Sequence, residues 1–103
     1  MLYEIPCQLD ADGVRSCRER IEKLALAGED LVLDLSVVTK MDSSGLGLLV
    51  LVHKRKLEAG HRLGIQNVSG EALELLTRFD LLSVFGYVKP EFAVRPVREA
   101  VAA

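Results

Sequence analysis

Leu31-Val32-Leu33-Asp34-Leu35, followed after a short connection by Asp42-Ser43-Ser44-Gly45-Leu46-Gly47-Leu48-Leu49-Val50-Leu51-Val52, decides how this chain folds. The first run is short and almost wholly apolar, as central parallel strands are. The second is ambiguous alone, since its composition suits a strand or a buried helix. It continues into His53-Lys54-Arg55-Lys56-Leu57-Glu58-Ala59 and stops at Gly60, with cations in the last turns, where the helix dipole favours them. The pattern is too long for a typical strand. It predicts a helix entered at Ser43 or Ser44.

Before this unit, Tyr3, Ile5, Cys7 and Leu9 alternate with polar residues, which predicts a half-buried strand. Pro6 cannot donate to a ladder, so that strand belongs at a sheet edge. Val14, Cys17, Ile21 and Leu24 recur at helical spacing, with Asp10 or Asp12 to cap the start and Gly28 to end it. After the unit, 62–66 reads as a strand. Ser69 caps a helix whose buried side is Leu73, Leu76 and Phe79, with Val68 and Leu73 spaced as a hydrophobic staple. Residues 84–88 predict a last strand, and Pro96 opens a last helix to Ala102. Alternating strands and helices imply an α/β domain of about four strands, mainly parallel or mixed, with four helices.

At 103 residues the sequence suits one domain over 1–103, with one core. A formal net charge of −2 argues against nucleic-acid binding. Cys7 and Cys17, at apolar-face positions on different elements, are expected to be reduced thiols in a cytoplasmic protein, with a disulfide between them the less favoured alternative. With His53 and His61 isolated from them, no metal site is expected. The longest apolar run, Leu46 to Val52, is far short of a membrane span, and no basic-then-apolar leader opens the sequence.

Ligand-facing loops of parallel sheets lie at the carboxyl ends of the strands, where Asp42-Ser43-Ser44-Gly45 falls. A helix N-terminus also welcomes a phosphate through its unpaired N–H groups and partial positive charge. Ser43 is the candidate phosphorylation site. Asp42, Ser44, Gly45, Leu46 and Gly47 are the candidate docking residues. Gly45 and Gly47 each cost roughly 1 kcal/mol relative to alanine in a helix interior, so each asks for a steric reason. From spacing alone, helix capping by Asp42, Ser43 and Ser44 is the commoner role. No glycine fingerprint for a dinucleotide, no P-loop and no nucleophile–base–orienter set is present, so neither a cofactor nor enzyme activity is expected.

At Thr39-Lys40-Met41-Asp42-Ser43-Ser44-Gly45-Leu46-Gly47 the chain resembles STAS domains, specifically bacterial anti-sigma-factor antagonists. The likeness extends through Leu63-Gly64-Ile65-Gln66-Asn67-Val68 and Leu75-Leu76-Thr77-Arg78-Phe79-Asp80-Leu81-Leu82-Ser83-Val84-Phe85, and is clearest over 31–88. The resemblance implies a phosphoswitch. The dephosphorylated domain binds a serine-kinase-type anti-sigma factor, phosphorylation at Ser43 releases it, and a PP2C-type phosphatase restores it. Asp42 would orient the hydroxyl or assist the kinase, while Ser44 and Gly45 would shape the docking loop. Nucleotide would belong to the kinase partner, so the resemblance implies no cofactor of the domain's own. Two further roles fit the same resemblance: a constitutive docking subunit of a lipid-transport ABC system, and a phosphoswitch on a target other than a sigma factor. Many members begin with a strand pair, whereas a short lead precedes the first helix here. That difference leaves an edge open to a partner or a second copy. The tail over 90–103 matches no part of the family pattern.

Overall fold

The computed structural model describes residues 1–89. Along them run β1 (Leu2–Glu4), α1 (Ala11–Leu26), β2 (Leu31–Asp34), α2 (Ser43–Glu58), β3 (Leu63–Gln66), α3 (Gly70–Arg78) and β4 (Tyr87–Val88). The strands form one sheet in the order β1-β2-β3-β4, and all three ladders are parallel. The sheet is therefore parallel throughout rather than mixed, with β1 at an edge as Pro6 required.

The expected count of four helices is corrected to three, α1, α2 and α3, among the described residues. The fourth expected helix, 96–102, lies outside them.

Each crossover advances one strand in the same direction. With the right-handed connection that parallel units adopt, this brings the helices to one face. Leu31, Leu33, Leu63 and Ile65 point there and are buried, in register as Leu31↔Leu63 and Leu33↔Ile65. Tyr3, paired with Leu33, meets α1 on that side, where the Arg20 guanidinium lies 5.8 Å from its ring centroid. From the helices come Val14, Cys17, Ile21, Leu48, Leu49, Val52 and Leu76, all buried.

Four local expectations change. The alternation from Tyr3 to Leu9 is a strand only to Glu4: Ile5 still donates to the Asp34 carbonyl at 3.0 Å, then Pro6 ends the ladder. Leu9 returns as a single bridge to Met41. The last strand is Tyr87–Val88, because residues 82–86 turn, with Gly86 at φ 68°. On α3 the buried residues are Ala72 and Leu76, whereas Leu73, expected to be buried, is exposed and Phe79 is 57% exposed. The helix ends at Arg78 with Phe79 as its C-cap, and the chain then reverses at Asp80, φ 55°. Ser69 occupies the cap position of α3 but makes no side-chain cap hydrogen bond.

Lys56 fastens the opposite end of the molecule. Fully buried, its Nζ donates to the carbonyls of Ala27 and Glu29, both at 2.8 Å, tying the end of α2 to the α1–β2 connection.

Candidate functional site

Two helices begin side by side at the carboxyl end of the sheet, and one carboxylate serves both. Asp42 is the N-cap of α2. Its Oδ1 accepts from the amides of Ser44 at 2.8 Å and Gly45 at 3.4 Å. Its Oδ2 accepts from the Ala11 amide, the first residue of α1, at 3.0 Å. Desolvation pushes the Asp42 carboxyl up, but the hydrogen bonds from Ser44, Ala11 and Gly45 prevail and hold it below its ordinary value. Asp42 is thus a fixed anion at the positive pole of two helices. Asp10 completes the arrangement by accepting from the Gly13 amide at 2.9 Å.

The loop leading to Asp42 is fastened along its length. At its base Asp34, fully buried at the end of β2, accepts from four donors. These are the Ser36 amide at 2.9 Å, the Ser36 hydroxyl at 2.6 Å, the Gln66 amide group at 2.8 Å and the Asn67 amide group at 2.8 Å. Burial raises the Asp34 carboxyl, and these bonds more than reverse the effect, leaving it below the usual carboxylate value. Gln8 clamps the middle. Its Oε1 accepts from the amides of Thr39 at 2.8 Å and Lys40 at 2.9 Å, while its Nε2 donates to the Val37 carbonyl at 3.0 Å. The Glu71 amide donates to the Thr39 carbonyl at 2.8 Å.

On this platform Ser43 is the first residue of α2 and is exposed, as is Ser44. The structure brings Asp42, Ser43, Ser44, Gly45, Leu46 and Gly47 together at one helix start. It divides the two glycines between different roles. Gly45 is buried, and a Cβ there would overlap the Leu9 carbonyl and sit 2.6 Å from the Leu9 Cβ. Its steric reason is internal. Gly47 is exposed, with nothing among the described residues within 4 Å of the Cβ position. Exposed Ser43 and Gly47 continue into Val50, 42% exposed, so a smooth stripe runs up the outer face of α2.

Sequence reasoning missed Gln8, Asp34, Gln66 and Asn67 as supports of this loop. One signal was available: Asp34 is the sole charge in an apolar strand, and Gln66-Asn67 closes the next one. His53 packs its ring edge against Phe85, centroids 5.4 Å apart, away from the site. Among the described residues no group of three or more His, Cys, Asp or Glu side chains could hold a metal ion, and no helix is long and apolar enough to cross a membrane.

The family model described as "Mlab, STAS domain" matches residues 4–85, which covers every element from α1 to α3 and the loop just described. No curated protein matches the chain. STAS domains are regulatory folds without catalysis, in keeping with a site made of helix caps and a smooth surface. By that match, the chain belongs to the STAS-domain family.

Proposed function

We propose that this chain is a cytoplasmic docking switch: an anti-sigma-factor antagonist that binds a serine-kinase-type anti-sigma factor when dephosphorylated and is released when Ser43 is phosphorylated. A PP2C-type phosphatase resets it. The observation that carries this reading is Gly47. A glycine here sacrifices roughly 0.5–1 kcal/mol of helix stability relative to alanine. Nothing among the described residues requires it. A flat surface against an incoming partner does.

Ser43 stands one turn before Gly47 on the same face, so the hydroxyl lies within the docking surface. A phosphate there adds about −1.5 to −2 charge at neutral pH. The amides of Ser44 and Gly45 are already committed to Asp42, so the new anion finds a like charge in the place of free donors. It remains in water, and the fold persists. A partner that must bury it does not stay, because an unpaired buried charge costs several kcal/mol.

The test uses the chain purified from its native cells. Tandem mass spectrometry before and after phosphatase treatment should find a phosphate on Ser43. As bait, the unmodified chain should retain an ATP-binding kinase-type protein that a Ser43→Asp form loses.

The description of the matching family model favours a second reading, a constitutive docking subunit of a lipid-transport ABC system. In that case both baits retain the same transporter ATPase and Ser43 carries no phosphate in any growth condition. A kinase partner whose target is not a sigma factor would keep the switch and change only its output.

A further inference from the structure

Cys7 and Cys17 meet on the flank of α1. Cys7, half-buried between β1 and α1, donates its thiol to the Gly13 carbonyl at 3.4 Å. By helical geometry the same carbonyl accepts the amide of Cys17, four residues on. Both cysteines therefore gather about one backbone oxygen, with the Cys7 side chain close enough to bear on the Cys17 thiol. The approach is this close because residue 13 is glycine; a Cβ there would overlap the Gln8 carbonyl. Burial, reinforced by the neighbouring Cys7 side chain, pushes the Cys17 thiol up to about 12. Cys17 thus stays protonated at neutral pH, and half-exposed Cys7 is the sulfur an oxidant reaches first.

We propose that Cys7 and Cys17 are an oxidation site, joined by a peroxide into a reversible intrachain disulfide whose formation loosens the loop carrying Ser43. The Cys7 sulfur attacks hydrogen peroxide, the O–O bond breaks, and a sulfenic acid and one water form. The Cys17 sulfur then attacks the Cys7 sulfur and the S–O bond breaks. The departing hydroxide takes the proton from the Cys17 thiol as a second water. Two thiols lose two electrons and one peroxide gains them.

The new S–S bond of about 2.05 Å is far shorter than any approach of two unbonded sulfurs, so one sulfur must move. Cys17 is held in the middle of α1, hence the displacement falls on Cys7 and its neighbour Gln8. Gln8 is the clamp on Val37, Thr39 and Lys40. The disulfide stands apart from whether Ser43 is phosphorylated, so a Ser43→Ala form should make it equally well.

The experiment treats the full chain with dilute hydrogen peroxide, alkylates remaining thiols, and reads intact mass, peptide map and amide hydrogen exchange. The expected product is a monomer lighter by two hydrogens that resists alkylation, yields a linked Cys7–Cys17 peptide and reverts with dithiothreitol. Its Thr39 and Lys40 amides should exchange about three- to tenfold faster, the effect of losing one hydrogen bond. Cys7→Ser, at the half-exposed position, should fold normally and abolish the link. Four results would each overturn the proposal: two alkylated thiols after peroxide, added oxygen without a link, a link between chains, or a linked chain whose Thr39 and Lys40 exchange is unchanged.

Discussion

Adding one methyl group at Gly45 and at Gly47 should move stability in opposite directions. The two positions lie in the same helix, two residues apart, so propensity and unfolded-state entropy are nearly common to both. At Gly47 the methyl enters open space and the variant gains roughly 0.5–1 kcal/mol from helix propensity. At Gly45 the same gain is overwhelmed. The methyl collides with Leu9, which is fully buried and cannot retreat without leaving the core. Pushing it back breaks Leu9 N–H to the Lys40 carbonyl, 3.0 Å, and Asp42 N–H to the Leu9 carbonyl, 3.2 Å. At about 1 kcal/mol for each bond and about 1–3 kcal/mol for the overpacked core, less the propensity gain, Gly45→Ala should lose about 2–4.5 kcal/mol. Urea denaturation of the two variants and the parent measures this directly, through midpoints at a common slope. A Gly47→Ala form less stable than the parent, or a Gly45→Ala form equal to it, would refute the division of roles between the glycines. If Gly47 faces a partner, the more stable variant should also be the weaker binder. About tenfold is a reasonable expectation for one misplaced methyl at a packed interface.

Three further outcomes are expected. Lys56→Met should lose about 1–3 kcal/mol, because the Ala27 and Glu29 carbonyls are left without their buried donor; thermal or urea unfolding reads it. Gln8→Ala should leave the sheet intact while the Thr39 and Lys40 amides exchange faster than those of β2, which residue-resolved hydrogen exchange would show. Acid should unfold the chain through Asp34 and Asp42. Both have folded values below their ordinary 3.8, so the unfolded state binds more protons between the two values and stability falls with pH there. That contribution is intact above the ordinary value and disappears as pH drops through the folded ones. A double Asp34→Asn, Asp42→Asn form should begin less stable and respond less steeply to pH in this range, and an unaltered slope would contradict the assignment.

The order of elements was legible because parallel strands and their crossover helices write strong periodic signals. Leu31 to Leu35 and the long run to Gly60 were read correctly as strand and helix, and the cap at Asp42 followed from the residues themselves. What the sequence hid depends on contacts between distant segments. Gln8 reads as one polar position of an alternating strand until the backbone after Pro6 bends over α1 and presents its amide to residues about thirty positions away. Phe79 reads as core because the helical period continues through it, whereas the helix stops at Arg78 and leaves Phe79, its C-cap, exposed. Gly45 and Gly47 are indistinguishable in a string of letters. Only the position of Leu9 separates them.

The carboxylate that starts two helices also constrains how Ser43 can be reached. Drawing the serine outward into another protein's catalytic cleft would pull Asp42 with it and release the first turn of α1 as well as that of α2. The hydroxyl is therefore offered in place, on a rigid plateau, instead of on a flexible arm. An enzyme that modifies it has to match the shape of the folded domain, so discrimination rests on the whole surface around Ser43 more than on the handful of residues beside it in the chain.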